Sequence, residues 1–134
     1  MVSRLAARLR GFAGVIEDGG RQGFGRRGER DAERYLKRHG YRILQRNFRA
    51  AGAEIDLVAA DGGTLVFVEV KARRGIGTGT PQEAVDDRKQ RRIRRAAEIY
   101  VARMNAHDYP VRFDVVAILM DRGEARFELL KDAF

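Results

Sequence analysis

Two β-strands and the turn between them lie in residues 53–71, AEIDLVAADGGTLVFVEVK. In the second strand, residues 64–71, valines alternate along one face, and the other face carries Glu69 and Lys71. A strand this apolar is normally buried on both faces of a sheet. We therefore expect Glu69 and Lys71 to lie in the interior or on the floor of a cleft, where an unpaired charge is costly.

The glycine pair Gly62-Gly63 predicts how these two strands face each other. Glycine accepts the positive φ angles of a two-residue hairpin loop, so the pair favours such a loop. Counting back from it predicts two facing pairs of charged residues: Asp56 with Glu69, and Glu54 with Lys71. A slip of one residue would turn the valine face outward, which supports this register.

The predicted proximity of Asp56 and Glu69 indicates a metal site. Two close carboxylates repel each other unless a proton or a cation lies between them. The chain has no cysteine and only two histidines, which favours a cation held by carboxylates, Mg²⁺ or in its place Mn²⁺. Such an ion can activate a water for attack on a phosphodiester, while Lys71 orients that water or stabilises developing charge. The structural alternative is a Glu54–Lys71 salt bridge beside solvated acids; the grouping of four charges on one apolar hairpin favours the site.

The composition is that of one basic domain. The chain has 134 residues, with 27 Lys and Arg against 19 Asp and Glu, and a net charge of +8. The lack of cysteine excludes disulfides and thiol nucleophiles, and the longest apolar run, residues 115–120, is too short to cross a membrane. We predict a cytoplasmic protein with a polyanionic partner and no membrane contact. We also predict a basic, flexible arm over residues 1–22 and a single domain over residues 23–134.

Periodicity along the chain predicts a mixed α/β domain with the order α-β-β-β-α-β-β. The first helix is expected from residue 26 to His39, with Gly40 as its cap. The predicted strands cover residues 41–48, 53–60, 64–71, 111–120 and 124–130. The second helix is expected to begin at residues 80–83, TPQE, with a restart at Asp86-Asp87, and to end near Met104.

A run of cations in the second helix predicts a nucleic-acid interface. Residues 88–95, RKQRRIRR, hold six cations in eight positions, and several of them repeat one helical turn apart, where they repel each other unless anions intervene. A solvated basic face is the alternative, which this repulsion disfavours. The predicted contacts to phosphates are Arg88, Lys89, Arg91, Arg92 and Arg95, extended by Arg73 and Arg74.

Four motifs in a fixed order carry a resemblance to a known family. They are Gly28-Glu29, residues 53–57 (AEIDL), residues 67–71 (FVEVK) and Lys89-Gln90. In this order they resemble the YraN family of bacterial proteins, which is similar to the restriction-endonuclease-like, PD-(D/E)XK nuclease superfamily that includes archaeal Holliday-junction resolvases. The resemblance covers roughly residues 23–130. It implies a restriction-endonuclease-like mixed sheet of about five strands flanked by helices.

The resemblance also implies roles for individual residues. By position, Asp56 and Glu69 match the superfamily's metal ligands, and Lys71 matches its catalytic lysine. Glu29 matches an acid often found on the first helix, and Gln90 matches the polar residue of the second helix. The alternatives are a helix-dipole role for Glu29 and simple solvation for Gln90.

Three functions stay open at this point. The first is a Mg²⁺-dependent endonuclease that hydrolyses DNA, with branched or structured DNA as the substrate that the resemblance implies. The second is a nucleic-acid-binding module without catalysis on a nuclease-like fold, and the third is a small adaptor whose basic helix binds an acidic protein. A homodimer would suit paired cuts on two strands.

Overall fold

The computed structural model describes residues 24–74 and 85–134. Its elements are α1 (Phe24–Arg38), β1 (Arg42–Ala50), β2 (Ala53–Asp61), β3 (Thr64–Arg74), α2 (Asp87–Arg103), β4 (Val111–Asp121) and β5 (Glu124–Leu130). This confirms the predicted order and the mixed α/β class. The predicted arm over residues 1–22 and the helix start at residues 80–83 lie outside the described residues. Neither described helix is long and apolar enough to span a membrane.

One five-stranded sheet forms the centre of the fold. Its strand order is β1-β2-β3-β4-β5, so strands that follow one another in the chain are neighbours in the sheet. β3 and β4 are parallel, and the other three pairs are antiparallel. A parallel pair needs a crossover connection, and α2 lies within the one that joins β3 to β4. β1 is an edge strand of the sheet.

The β2–β3 hairpin has the register that the sequence predicts near its turn. Gly62 has a φ of 59°, which a glycine accepts without strain. The paired residues run from Asp61–Thr64 to Leu57–Val68. The two predicted pairs of charged residues lie beyond the last of these pairs, and there the backbone N–H of Val70 donates instead to Oδ2 of Asp56, at 2.8 Å. The Asp56 carboxylate thus takes the place of a backbone acceptor.

Within residues 24–74 and 85–134, one helix packs on each face of the sheet. On one face, α1 packs Ala32 and Leu36 against the strand residues Leu57, Val66 and Val68. On the other face, α2 contributes a stripe whose buried members include Ile93, Ala96, Ala97 and Tyr100. The two helices therefore lie on opposite faces of the sheet.

The helix ends follow local sequence signals. Gly40 has a φ of 86° and follows the end of α1, where the N–H of Tyr41 donates to the carbonyl of Leu36 at 3.0 Å. Asp86 caps α2, because its side chain accepts a hydrogen bond from the N–H of Lys89 at 2.8 Å. The predicted restart at Asp86-Asp87 is therefore the start of the described helix.

A polar network around the buried Asp114 joins three parts of the chain at the turn end of the hairpin. Asp114 is fully buried, and it accepts hydrogen bonds from Arg112 and from the hydroxyl of Tyr41 at 2.8–2.9 Å. Arg112 also donates to Asp61 at 2.8 Å. Burial and the hydrogen bond to Asp114 raise the pKa of Tyr41 above its ordinary value. The network fixes β1, the β2–β3 turn and β4 relative to one another.

Candidate functional site

Three carboxylates meet where α1 approaches the sheet. Glu29 projects from α1, and Glu54 and Asp56 project from β2. Each offers an oxygen atom, and these atoms all lie within 4.8 Å of one another. Glu29 and Asp56 are buried, with 6% and 1% of their surface exposed, and Glu54 is half-buried. We call these three residues the carboxylate cluster.

Asn47 connects the cluster to the edge strand. Its backbone has a φ of 52°, a left-handed conformation that asparagine adopts more readily than most residues. Its side chain, with the amide orientation assigned from the hydrogen-bond network, donates to Glu29 at 3.1 Å and to Glu54 at 3.0 Å. Sequence reasoning missed Asn47, for which a polar residue between Arg46 and Phe48 near the end of the predicted strand 41–48 was the available signal.

Glu69 lies with two lysines on the α2 side of the sheet. Nζ of Lys89 is 2.5 Å from Oε1 of Glu69, and Nζ of Lys71 is 3.8 Å from the same oxygen. Both lysines also interact electrostatically with Asp56, which places Glu69 and Asp56 around the same two ammonium groups. We call Lys71 and Lys89 the lysine pair.

The environment shifts the two lysines in opposite directions. Burial lowers the pKa of Lys71, and the neighbouring charge of Lys89 lowers it further, against the opposing effect of Glu69. Burial also acts to lower the pKa of Lys89, but the hydrogen bond and the charge of Glu69 outweigh it and raise that pKa. Lys89 is therefore the firmer ion-pair partner of Glu69.

The carboxylate cluster fits a hard divalent cation. Carboxylate oxygens are the ligands that Mg²⁺ and Mn²⁺ take most readily in proteins, and the described chain gathers them here from two elements. Asp56 and Glu29 are among the predicted site residues, and Glu54 was predicted on the same hairpin but as the partner of Lys71. In the structure Arg49 donates to Glu54 at 3.3 Å, and the two residues face each other across β1 and β2.

The side chain of Gln90 makes a local hydrogen bond to the residues just before α2. Its side-chain amide donates to the carbonyl of Val85 at 2.8 Å and thereby holds the segment before α2 against the helix. The residue of this helix that contacts the acids is the preceding one, Lys89, which the sequence analysis assigned to phosphate binding.

A cleft of about 450 Å³ opens beside these acids on the α2 side. Glu54 and Glu69 contribute to its wall, together with the predicted phosphate contacts Arg88, Lys89 and Arg92. We call it the α2 cleft. Acids that can hold a metal and cations that can hold phosphates thus share one wall.

The remaining predicted cations lie around this cleft. Arg91 and Arg95 are exposed and line a neighbouring depression of about 550 Å³, which also includes Arg88 and Arg92. The backbones of Arg73 and Arg74 continue β3 and pair with β4. Their side chains lie outside what the structure describes, so their predicted role stays a prediction.

Comparison with known proteins identifies relatives over most of this chain. A family model described as "Uncharacterised protein family UPF0102" matches residues 28–118. UPF0102 protein STH1475 of Symbiobacterium thermophilum is 50% identical over 111 residues, which cover 82% of this chain and 94% of that protein. A UPF0102 protein of Rhodococcus opacus has the same identity and the same coverage. UPF0102 protein GSU0650 of Geobacter sulfurreducens is 51% identical over 111 residues, or 82% of this chain and 87% of that protein.

Proposed function

This chain belongs to the uncharacterised protein family UPF0102, and we propose that it is a metal-dependent endonuclease that hydrolyses DNA phosphodiesters. One observation carries the proposal: the carboxylate cluster, whose oxygens lie within 4.8 Å of one another, adjoins the lysine pair at a cleft lined by arginines. Close acids, a nearby half-buried lysine and a phosphate-binding wall suit metal-assisted phosphodiester hydrolysis.

The cluster supplies the residues for a bound cation. Asp56 is the central ligand in this proposal, with Glu29 and Glu54 from the cluster and Glu69 from the next strand as its companions. Mg²⁺ or Mn²⁺, when bound, polarises the phosphate and makes a water more acidic. The donor set is all carboxylate, which agrees with the choice of these two ions.

The chain's own cations complete the site. Lys71 is held within 3.8 Å of Glu69, where its ammonium group can donate to a phosphate oxygen or orient the attacking water. Arg88 and Arg92 are exposed on the wall of the α2 cleft and can bind the phosphates next to the scissile one. Their fork-shaped guanidinium groups suit phosphate oxygens better than an ammonium does.

The finer parts of the proposal rest on resemblance. The order of the four motifs is similar to that of the PD-(D/E)XK superfamily and of archaeal Holliday-junction resolvases, which supports branched or structured DNA as the substrate. We propose a cytoplasmic location, and paired cuts on two strands would suit a homodimer.

A non-catalytic DNA-binding module is the second candidate. It is favoured by the short ion pair between Lys89 and Glu69, at 2.5 Å, which occupies one oxygen of a proposed metal ligand. On this proposal the acids and lysines hold α2 against the sheet, and the arginines of α2 bind the duplex.

Cleavage of labelled DNA separates the two candidates. Linear, flapped and four-way DNA are incubated with the protein in Mg²⁺ or Mn²⁺, and parallel reactions contain EDTA. We expect cutting that disappears in EDTA and in the isosteric variant Asp56→Asn, and that survives in Asp108→Asn, a matched change at an exposed position. Tight, salt-sensitive binding without cutting in either metal would favour the binding module, and the absence of both would remove the two candidates together.

A further inference from the structure

A second basic cleft lies on the opposite side of the carboxylate cluster. It has a volume of about 370 Å³ and lies between α1 and β1, with Arg30, Arg34, Lys37 and Arg46 in its wall. Glu29 and Asn47 also line it, so its wall includes one member of the cluster. We call it the α1 cleft. None of its four cations was among the predicted phosphate contacts.

Glu33 binds two of the cations that line this cleft, Arg46 and Lys37. Glu33 is 4% exposed and accepts two hydrogen bonds from Arg46, both at 2.6 Å, and Lys37 lies 3.0 Å from it. Burial raises the pKa of Glu33, but the bonds and charges of Arg46 and Lys37 outweigh this and leave that pKa below its ordinary value. Glu33 therefore stays ionised and fixes the direction of Arg46.

Two further arginines leave an excess of positive charge at the mouth of the cleft. Arg30 and Arg34 are exposed and one turn apart on α1, a spacing at which like charges repel each other. Asp31 is 4.0 Å from Arg34, but an exposed pair at this distance contributes little. A bound anion would relieve the repulsion, and phosphate is an anion whose oxygens match the fork geometry of the guanidinium group.

The two clefts meet at the carboxylate cluster. Glu54 lines the α2 cleft and Glu29 lines the α1 cleft, and oxygens of these two residues lie within 4.8 Å of each other. α1 and α2 pack on opposite faces of the sheet, so the clefts lie on opposite sides of it. The acids are thus flanked by basic walls in both directions.

From this arrangement we propose that the substrate strand crosses the cluster and is bound by its phosphates on both sides of the scissile bond. The α1 cleft, through Arg30 and Arg34, binds the phosphates on one flank, and the α2 cleft binds those on the other. The inference rests on the proposed nuclease function and deepens it, because a strand bound on both flanks must continue past the site. The substrate must therefore extend past the scissile bond on both flanks, which the α2 cleft alone would not require.

Salt dependence of DNA binding tests the proposal. Binding of a labelled DNA several helical turns long is measured by fluorescence anisotropy in Ca²⁺ over a series of salt concentrations. The variants are Arg30→Ala/Arg34→Ala for the α1 cleft and Arg88→Ala/Arg92→Ala for the α2 cleft. Arg42→Ala/Arg126→Ala is the matched control, since both of its residues are exposed on strands away from the two clefts.

Each cleft variant should lose about two phosphate contacts. The slope of log affinity against log salt then falls by about 2, so that over a roughly fourfold rise in salt the wild type loses about 12 times more affinity than the variant. The control should keep the wild-type slope. Thermal unfolding of each variant checks that the fold is intact, which exposed Arg→Ala changes should leave unchanged.

The position of the lost contacts provides the second readout. DNA is prepared with single uncharged methylphosphonate linkages at successive places around the mapped cut. We expect the α1 variant to lose sensitivity to these linkages on one flank of the cut, and the α2 variant on the other. If the α1 variant binds like the control, or if both variants lose sensitivity on the same flank, the two-sided arrangement is wrong while the nuclease proposal stands. If the wild type neither binds nor cuts DNA, both proposals are wrong.

Discussion

The carboxylate cluster should make the metal-free protein less stable than a variant that lacks one of its charges. Glu54→Gln removes a charge but keeps the size of the side chain and its ability to accept hydrogen bonds. The oxygens of Glu29 and Asp56 lie within 4.8 Å of that of Glu54, so the substitution relieves two repulsive pairs. Carboxylates that bind a common cation repel one another when that cation is removed, and this repulsion destabilises the fold.

The size of the effect follows from Coulomb's law. At the 4.8 Å limit and an effective dielectric constant of about 20, each pair of like charges costs about 3.5 kcal/mol. Asn47, Arg49 and the lysine pair reduce this cost in the wild type, and part of that compensation is lost with the Glu54 charge. We therefore expect Glu54→Gln to raise the free energy of unfolding in EDTA by about 1–3 kcal/mol, or the Tm by roughly 3–9 °C for a domain of this size.

The assay is thermal unfolding, followed by circular dichroism, in EDTA and in a series of Mg²⁺ concentrations. At a Mg²⁺ concentration about 100 times the Kd, the wild type should gain about 2.7 kcal/mol, and Glu54→Gln should gain clearly less. Glu128→Gln, the same change at an exposed position of β5, is the control and should follow the wild type in both buffers.

Two results would refute this reasoning. The first is a lower Tm for Glu54→Gln in EDTA, which would mean that the Glu54 charge stabilises the fold through Arg49 and Asn47 rather than straining it. The second is an equal Mg²⁺-dependent rise for wild type and variant, which would place any cation site elsewhere.

Three further predictions concern the ion pairs. Arg112→Met should lower the free energy of unfolding by about 3 kcal/mol, measured by urea denaturation, since it removes the charged partner of the fully buried Asp114; a loss below about 1 kcal/mol would contradict this. Burial raises the pKa of Asp61, but Arg112 and Lys131 outweigh this effect and hold that pKa below its ordinary 3.8. The ionised Asp61 therefore stabilises the fold above pH 3.8, and this stabilisation is lost as the pH falls through the lower pKa of the folded state. In acid denaturation this loss should be smaller in Arg112→Met than in the wild type. Lys89→Met should free Glu69 from its ion pair and tighten Mg²⁺ binding up to about 5-fold by calorimetry, and weaker binding would argue against Glu69 as a ligand.

Most of the fold could be predicted because its signals are local. Alternation of valines and the glycines at 62 and 63 were enough for the β2–β3 register next to the turn, and β5 has the predicted bounds, Glu124–Leu130. The charged end of the hairpin could not be predicted in the same way. There the strands are no longer paired residue by residue, and the carboxylate of Asp56 accepts the N–H of Val70.

The composition of the site depended on contacts between elements far apart in the chain. Glu29 and Glu54 are separated by a helix, a strand and two turns, and no spacing rule brings them together. They meet because α1 packs across the sheet beside β2 and because Asn47, with its left-handed backbone, turns its amide toward both. Lys89 rather than Gln90 contacts Glu69 for a similar reason, since Lys89 lies one turn before Ile93, on the face of α2 that packs against the sheet.

The sequence by itself determined the order of the elements, the excess of positive charge, the lack of cysteine and the family of the chain. These properties depend on composition and on periodicities a few residues long, which local physics translates directly into strands, turns and helices. The tertiary structure alone decided that Glu54 joins Glu29 and Asp56, and that basic clefts flank them on both faces of the sheet. Such groupings depend on how helices dock onto a sheet, and docking is decided by packing of the whole core rather than by any segment of the chain.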